Sequence, residues 1–472
     1  MNYVFYDFET SGLNYYFDQP IQLAAKLVDE NFTLLDEINE KCRLRDGVIP
    51  SPTAMLITKT DLDELDKKQS FYEFMDKVHA KFTSWSPAIF IGYNNINFDE
   101  KFLRSSFYHS LYAPYLTNTN DNSRSDLFKI ILSICNLEKS YLNIPIDMEN
   151  GRKSLKLEKL AECNNIKHDF AHDAMSDVDA TLGLAEIIKN NDIELWKHVI
   201  EFRNHTNVNS FIEKNKVCIL PPVNASSCYT PVCYLTRNPD NQKELIFFNL
   251  NEELTEEIIS SRTRNIGALF KNKILKKVKS NDYPVLLLED HLNGAIKNEY
   301  IGNKENYHQK ANTLITASNF IMNINQYLVD QLADYQIDSK DYMEASDHVD
   351  EMLYSGFTGP SDWIKIKNLD SLDNTQEIKK TLDTLEDKRL IELYKRKLYS
   401  DKRSLLTREN IEKYKSYIAS KIYDDSEKVP WTTLSKARSE LIKASQDKRF
   451  SNMVEEVKKI EKYLDQLEEK YI

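Results

Sequence analysis

The sequence predicts an α/β domain followed by a small β-rich domain and an all-α C-terminal domain. Up to about residue 190, apolar segments typical of strands, such as YVFYDF, PIQLAAKLV and AIFIGYN, alternate with segments of helical periodicity. Between about residues 200 and 340, short apolar stretches are separated by Pro, Asn and Asp, which is typical of a small barrel or sandwich. Beyond about residue 345 the chain is charged and poor in Gly and Pro, as helices are. We place the three domains at residues 1–192, 193–343 and 344–472.

Each domain contains recognisable elements. In the first, a third strand is expected near EINEKCRL, and helices over residues 70–83, 100–108 and 127–137, through LKLEKLAECNN and through MSDVDATLGLAEIIKN. Asp173 is the expected N-cap of the last helix. In the second, the expected strands are VCILPPV, SSCYTPVCYL, ELIFFNL and YPVLLLED. In the third, the expected helices are TQEIKKTLDTLEDKRLIELYKRKL, RENIEKYKSYIASKIY and a long segment from residue 432 onwards.

The composition restricts the cellular setting. No run of about 18 apolar residues occurs, and the N-terminus has neither a basic start nor a cleavage-type segment. We therefore expect a soluble, cytoplasmic protein that does not bind membranes. The six cysteines are scattered without a C-x-x-C pair, which predicts reduced core residues and neither a disulfide framework nor a zinc site.

The formal net charge of −12 argues against indiscriminate binding of nucleic acid, because the phosphate backbone attracts basic surfaces. A binding groove, however, needs only local basicity. The run FKNKILKKVKS at residues 270–280 offers such basicity, and a solvated basic face explains the same lysines equally well.

Three short motifs in the first 180 residues contain four acids and a histidine. Asp7 and Glu9 in YDFETSG are separated by a single residue on an expected strand. Because side chains alternate between the two faces of a strand, both carboxylates lie on the same face. Asp99 in GYNNINFDE follows another strand, where it could also cap the next helix. In AHDAMSDVDAT, His172 precedes the helix that carries Asp177. Acids at strand ends are common, but four together favour a hard, oxygen-seeking cation such as Mg²⁺ or Mn²⁺.

This set of residues predicts hydrolysis with two metal ions. Asp7, Glu9 and Asp177 would ligate one cation. Asp7 would bridge to a second cation about 3.5–4 Å away, which Asp99 would support directly or through water. A neutral imidazole has a reference pKa of about 6.5 and can take a proton from water near pH 7, which makes His172 the candidate general base.

The three motifs together resemble those of DEDD-type 3′→5′ exonucleases, in the subgroup with a histidine five residues before the last aspartate. The segments FYHSLYAPY, DNSRSDL, SLKLEKL, EFRNH, QKANTL and LYSGF extend the resemblance, more thinly, towards the C-terminus and to the exodeoxyribonuclease I family. The resemblance implies an RNase H-like exonuclease domain, an SH3-like β domain and a helical domain arched over the active site. It also implies processive degradation of single-stranded DNA from the 3′ end to 5′-mononucleotides with Mg²⁺, in DNA repair and recombination.

The motifs and the resemblance also suggest residues that contact the DNA strand. Asn94, Asn95 and Phe98 could touch the strand or brace their loop. Aromatic side chains such as Phe107 and Tyr112 could stack on bases or belong to the core. Arg124 could likewise brace its motif. The candidate contacts are Glu9, Thr10, Asn95, Phe98, Arg104, Tyr115, Arg124, Lys156 and His205, with Arg203 as the alternative to His205 in EFRNH.

A further implied partner is the acidic, apolar C-terminal tail of single-stranded DNA-binding protein. Ile315 follows QKANTL where a basic residue is expected, which weakens this pocket, and Lys310 or Lys139 could replace that residue. The chain is expected to be a monomer.

Two other functions fit the same acids. A 3′→5′ exoribonuclease would use them equally, but such enzymes are mostly about one domain in size, and roughly 280 further residues favour the DNA enzyme. A single-strand-binding or scaffold protein with a retired site would have lost some of these acids, and none is replaced in this sequence.

Overall fold

The computed structural model describes residues 1–138, 141–148, 150–168, 172–340, 348–424, 426 and 428–471, with the backbone alone for 333–340. Its three regions follow the predicted order of an α/β layer structure, a β-sheet region and a helical region. Among the described residues, no helix combines the length and the apolar character that crossing a membrane requires.

The first region is built on a five-stranded sheet in the order β3–β2–β1–β4–β5. The strands are β1 Asn2–Thr10, β2 Pro20–Val28, β3 Leu34–Lys41, β4 Ala88–Gly92 and β5 Ser123–Asp126. β1 pairs antiparallel with β2 and parallel with β4, and it continues beyond the end of β4. The chain segments that leave β1 and β4 therefore meet at the same edge of the sheet.

Helices follow and connect these strands. They are α1 Pro52–Ile57, α2 Leu62–Leu65, α3 Phe71–Ser84, α4 Asp99–His109, α5 Leu127–Ile134, α6 Leu157–Cys163 and α7 Ala174–Asn191. α3 begins with a capping box, because Ser70 Oγ accepts a hydrogen bond from the Glu73 amide and Glu73 Oε2 accepts one from the Ser70 amide. Two expected elements differ in extent. β3 ends before the CRL of the expected segment, since Cys42 leaves the strand to bridge to Gln69, and α5 ends at Ile134 instead of residue 137.

Strand β1 is buried on both faces. Tyr3 and Phe5 face a core that is completed by α5 and α7, whereas the residues between them face a second core with α3 and α4. The same alternation puts Asp7 and Glu9 on the α7 side of the sheet. The core packing of α7 on this face thus brings its first turn to the acidic end of β1.

The second region contains a four-stranded antiparallel sheet in the order β6–β7–β8–β9. Its strands are β6 Cys218–Leu220, β7 Thr230–Asn238, β8 Asn241–Asn249 and β9 Leu275–Lys279. Its helices are α8 Ile193–Glu201, α9 His205–Lys214, α10 Glu256–Ile259, α11 Thr263–Lys271, α12 Gly294–Thr316 and α13 Ser318–Lys340. In β9, Lys277 lies 3.5 Å from Glu244, so part of the basic run is neutralised across the sheet.

Two details of this second region differ from expectation. The segment YPVLLLED is buried but forms a single bridge, between Leu287 and Ile219, because its apolar side chains fill the core without continuing the ladder. The chain from residue 294 to 340, expected in the β-rich domain, forms the two 23-residue helices α12 and α13. The buried residues Tyr300, Tyr307 and Leu314 of α12 recur every seven positions, a helical spacing that the short apolar stretches obscured.

The third region is helical throughout its described residues, with a 3-10 helix at Val349–Tyr354. Its α-helices are α14 Pro360–Leu369, α15 Thr375–Asp383, α16 Lys388–Asp401, α17 Arg408–Ile422, α18 Leu434–Ser445 and α19 Val454–Tyr471. These helices share a core with the first region, in which Met55 and Leu56 of α1 pack with Ile418 and Leu464. The helical region is therefore packed directly against the domain that carries the acidic motifs.

Candidate metal centre

Three of the predicted acidic residues come together at the end of β1. Asp7 and Glu9 project from β1 towards α7, and Asp177 lies in the first turn of α7. One carboxylate oxygen from each of these residues lies within 4.8 Å of the other two. Oxygen atoms at this spacing can be shared by a single hard divalent cation such as Mg²⁺ or Mn²⁺.

Asp99 adjoins this group from the neighbouring strand. It is the first residue of α4, which follows β4, and its buried Oδ1 accepts a hydrogen bond from the Phe8 amide at 3.0 Å. Among the neighbouring charges, Asp99 is the largest contributor to the raised pKa of Asp7, after burial. Asp99 therefore faces Asp7 across the sheet edge. Phe98 occupies the N-cap position of α4 and no side chain caps this helix, so the capping role considered for Asp99 is not observed.

The four carboxylates repel one another. Burial, and then repulsion from Asp177 and Asp99, raises the pKa of Glu9 to about 9. Burial raises the pKa of Asp99 to about 8, and burial also raises the pKa of Asp7 and of Asp177. A cluster of buried acids is costly, and a bound divalent cation would offset both the burial and the repulsion. The donor set and its electrostatics fit a divalent metal ion.

Two histidines flank Asp177, and they differ in exposure. The side chain of His172 is 46% exposed, and its Nε2 lies 3.9 Å from Glu158 Oε2. The backbone amide of His172 contributes a hydrogen bond that lowers the pKa of Asp177. The His168 side chain is only 6% exposed, and its Nε2 lies 2.5 Å from Asp177 Oδ1. Sequence reasoning missed His168, although the segment HDFAHDAMSD contains both histidines.

Asp173 occupies the N-cap position of α7, as expected, but its side chain does not cap the helix. Its carboxylate instead accepts a hydrogen bond from Gln22 Nε2 at 3.1 Å. Gln22 lies on β2, directly opposite Glu9. This bond links the start of α7 to the sheet beside the acidic group, and Asp173 adds to the repulsion that raises the pKa of Glu9.

The loop after β4 is braced from within. The side chain of Asn95 is fully buried and donates a hydrogen bond to the Tyr6 hydroxyl at 3.3 Å. This close approach requires Gly92, because a Cβ at that position would lie 2.6 Å from the Asn95 Cβ. Phe98 is half-buried and packs beside Phe102, with ring centres 5.0 Å apart. The loop geometry thus holds Asp99 at the start of α4.

Two other candidates also make internal contacts. Thr10 is buried, and its hydroxyl donates to the Gly12 carbonyl at 2.7 Å. Arg124 Nη1 donates to Glu100 Oε2 at 3.2 Å, and Glu100 is almost fully buried. This pair ties β5 to α4 and supports the interpretation that Arg124 braces its motif. Phe107 is a core residue.

Arg104 points from α4 towards a group of aromatic side chains. Its guanidinium lies 5.3 Å from the ring centre of Tyr115, and its Nη2 donates to Asn118 Oδ1 at 2.9 Å. It also pairs with Glu100 at 3.3 Å and bonds to the hydroxyl of Tyr354. Arg104 therefore connects the helix that begins with Asp99 to the helical region.

We call the group of aromatic side chains near Arg104 the aromatic rim. Its members are Tyr15, Tyr16, Tyr115, Tyr354 and Phe357. Phe357 is 91% exposed, and its ring centre lies 6.4 Å from that of Tyr115. Tyr354 is half-exposed. The exposed rings make the aromatic rim a candidate interaction surface. The sequence analysis did not single out Tyr354 and Phe357, although both belong to the quoted segment LYSGF.

The remaining candidate contacts are Lys156, Arg203 and His205. Lys156, at the N-cap of α6, is exposed and has no ion pair among the described residues. Arg203 Nη1 bonds to the Ile200 carbonyl and to Glu201, and His205 is the exposed first residue of α9. Of these three candidates, Lys156 is thus the one whose charge is most available to a ligand.

Two of the residues considered for a protein tail, Lys310 and Ile315, lie on α12. Ile315 is 43% exposed near the C-terminal end of this helix. Lys310 Nζ donates to the carbonyls of Leu250 and Glu252 at 2.9 and 2.7 Å, which occupies its charge locally. Lys139 lies outside the described residues.

Comparisons with known proteins agree with this architecture. Residues 4–185 match the Exonuclease family, and residues 347–467 match the Exonuclease I C-terminal domain family. The chain is 30% identical over 409 residues to exodeoxyribonuclease I of Buchnera aphidicola subsp. Schizaphis graminum, covering 84% of this chain and 82% of that protein. It is similar in structure to exonuclease I from Methylocaldum szegediense, with a TM-score of 0.82 at 24% identity over 99% of both chains. It is also similar to the zinc-bound single-stranded DNA complex of Escherichia coli exonuclease I, with a TM-score of 0.80 at 23% identity over 99% of both chains. These matches confirm the predicted fold class over the whole chain.

Proposed function

Because this chain belongs to the exodeoxyribonuclease I family and is a nuclease, we propose that it degrades single-stranded DNA processively from the 3′ end to 5′-mononucleotides. The observation that carries the proposal is the group of carboxylate oxygens from Asp7, Glu9 and Asp177, with Asp99 beside them. The E. coli exonuclease I that this chain resembles was solved with single-stranded DNA and a zinc ion, which supports a strand and a divalent cation as ligands. The activity would serve DNA repair and recombination.

The four acidic residues would together bind two Mg²⁺ ions, and Mn²⁺ would substitute for Mg²⁺. Asp7, Glu9 and Asp177 would hold one ion, while Asp7 and Asp99 would hold the other. When bound, the two ions supply activation of the attacking water and stabilisation of the leaving 3′ oxygen. The carboxylates fix the place of the reaction because β1, α4 and α7 hold them rigidly at one sheet edge.

His172 supplies the base in this proposal. Its half-exposed ring can reach solvent, and an imidazole near neutral pH accepts a proton from water efficiently. Glu158, 3.9 Å from His172 Nε2, would stabilise the ring once it is protonated. The base therefore stands beside the acidic group without occupying a cation position.

The strand would run across the aromatic rim. Phe357 and Tyr115 offer accessible rings on which bases can stack, and stacking is independent of sequence because every base has a flat face. Arg104, which lies between this surface and Asp99 on α4, would meet a phosphate. Lys156 would extend the contact on the α6 side.

The proposal is tested by digesting single strands labelled at either end in Mg²⁺. Release of labelled mononucleotide first from the 3′-labelled strand is the expected result, and first release from the 5′-labelled strand contradicts the polarity. Asp7→Asn should keep the fold but lower the rate at least about 10³-fold, because it removes a ligand of both proposed cations. Such a rate corresponds to about 4 kcal/mol of lost transition-state stabilisation, since about 1.4 kcal/mol changes the rate tenfold. Asp373→Asn, on an 88% exposed carboxylate, is the matched control and should retain the rate.

A matched RNA strand tests the second candidate function, a 3′→5′ exoribonuclease. If the chain is a DNA enzyme, it should cut the DNA strand faster, whereas equal or faster cutting of RNA favours the exoribonuclease.

We also propose that the chain acts as a monomer and that the apolar, acidic tail of single-stranded DNA-binding protein docks near α12. The exposed Ile315 supports an apolar component of that contact.

A further inference from the structure

We infer that His168 is a positioning residue, whose ring holds the Asp177 carboxylate in place for sharing a cation with Asp7 and Glu9. The inference rests on the proposed function, because it assumes that these carboxylates bind a divalent ion. It assigns a role to a side chain that the three acidic motifs do not include. His168 touches Asp177 and would touch neither the strand nor the reacting atoms.

The contact between His168 and Asp177 is short and shielded. His168 Nε2 lies 2.5 Å from Asp177 Oδ1, and the two side chains are only 6% and 15% exposed. A carboxylate has two oxygens, so the ring nitrogen can hold one of them while the other stays available to a cation. The imidazole side chain has only two torsion angles, and burial of the ring limits both of them.

The repulsion within the acidic group explains why a brace is needed. Asp177 is the largest charged contributor to the raised pKa of Glu9, so the two carboxylates push each other apart. Asp177 sits at the start of α7, whereas Asp7 and Glu9 sit on β1, and a free Asp177 side chain could rotate away from them. The bond from His168 opposes that rotation before a cation arrives.

His168 and His172 have opposite properties, which separates their roles. The ring of His172 is 46% exposed and lies near Glu158, where it can meet solvent. The ring of His168 is buried and engaged with Asp177. Exposure suits a base that must exchange protons with water, and burial suits a residue that only orients a ligand. The pair therefore divides proton transfer from ligand positioning.

The experiment compares cation binding with turnover in the full-length protein. Binding of Mn²⁺ is measured by electron paramagnetic resonance without DNA, and the Mg²⁺ dependence of turnover is measured on single-stranded DNA. His168→Phe should weaken Mn²⁺ binding and raise the Mg²⁺ concentration for half-maximal turnover by about 10- to 100-fold. At saturating Mg²⁺ its kcat should recover to within about twofold of the unaltered protein.

Two variants act as internal controls. His168→Gln places an amide nitrogen near the position of Nε2 and should restore most of the Mn²⁺ affinity, which a loss of mere packing would not predict. His172→Asn should bind Mn²⁺ within about twofold of the unaltered protein yet keep a low kcat at saturating Mg²⁺. If His168→Phe fails to fold, judged by circular dichroism, His168→Ala takes its place in both measurements.

The outcomes separate this inference from the proposed function. If the unaltered protein binds Mn²⁺ but His168→Phe and His168→Ala bind it equally well, the positioning role is wrong and the proposed function stands. A kcat that stays low at saturating Mg²⁺ also overturns the positioning role, since it places His168 in the chemistry. If the unaltered protein binds no divalent cation and releases no nucleotide, both the proposed function and this inference fail.

Discussion

Replacing Glu9 by Gln should stabilise the protein against unfolding when no divalent cation is present. Glu9 is 9% exposed, and burial, followed by repulsion from Asp177 and Asp99, raises its pKa from 4.5 to about 9. Between these pH values the folded protein retains a proton that the unfolded chain has released. The free energy of unfolding therefore falls as the pH rises from about 4.5 to 9. Glutamine is neutral at every pH and removes this loss.

The size of the effect follows from the same shift. Each pH unit in this window costs about 1.4 kcal/mol for one carboxyl group, so the cost at pH 8 reaches at most about 5 kcal/mol. At pH 5 the same cost is below about 1 kcal/mol. The stabilisation of Glu9→Gln should therefore grow by several kcal/mol between pH 5 and pH 8.

Urea unfolding in EDTA at pH 5 and pH 8 measures this difference. Glu456→Gln, a change of an exposed acid on α19, is the control and should alter stability by less than about 0.5 kcal/mol at either pH. Saturating Mg²⁺ should reverse the order, because only the intact carboxylate set gains binding free energy in the folded state. The reasoning is refuted if Glu9→Gln is less stable than the unaltered protein at pH 8 in EDTA, or if its advantage is the same at both pH values.

Two further predictions concern the helical region. Phe357→Ala should weaken binding of single-stranded DNA by about 1–3 kcal/mol, measured by fluorescence anisotropy in Ca²⁺. The control is Leu34→Ala, at another exposed apolar residue. If the two variants bind with equal affinity, bases do not stack on the Phe357 ring. Arg396→Met should lower the free energy of unfolding in urea by about 3–5 kcal/mol. Arg396 Nη1 bonds to both oxygens of the buried Asp350 at 3.0 and 2.9 Å, and the substitution removes this partner from a buried carboxylate. Lys458→Met, which breaks an exposed pair, is the control and should cost less than about 1 kcal/mol, so a similar loss from both variants would contradict the role of burial.

The parts of the fold that obey a local period could be predicted from the sequence. The period of two along β1 correctly puts Asp7 and Glu9 on one face, and the helical period places Asp177 on the first turn of α7. The helix expected over residues 70–83 is likewise observed as α3, which begins directly after Ser70. Each of these features depends on residues within about one turn or one strand, so the chemistry of neighbours is enough to determine it.

Local periodicity was not enough to predict the helices α12 and α13. The residues of α12 and α13 were expected in a β-rich domain, because their apolar positions are widely spaced and follow several strand-like stretches. Only packing against the four-stranded sheet shows which of these positions are buried. Tertiary contacts thus override a weak local preference.

The amino-acid sequence by itself determined the acidic set, the strand and helix that carry it, and the order of the three regions. Only the tertiary structure decided that His168 approaches Asp177, that Glu100 binds Arg124, and that Tyr354 meets Arg104 across 250 residues of chain. The physical reason is that a side chain's identity states what it can bond to, whereas its partner depends on how separate cores pack. No local pattern contains that information, because the packing is a property of the whole chain.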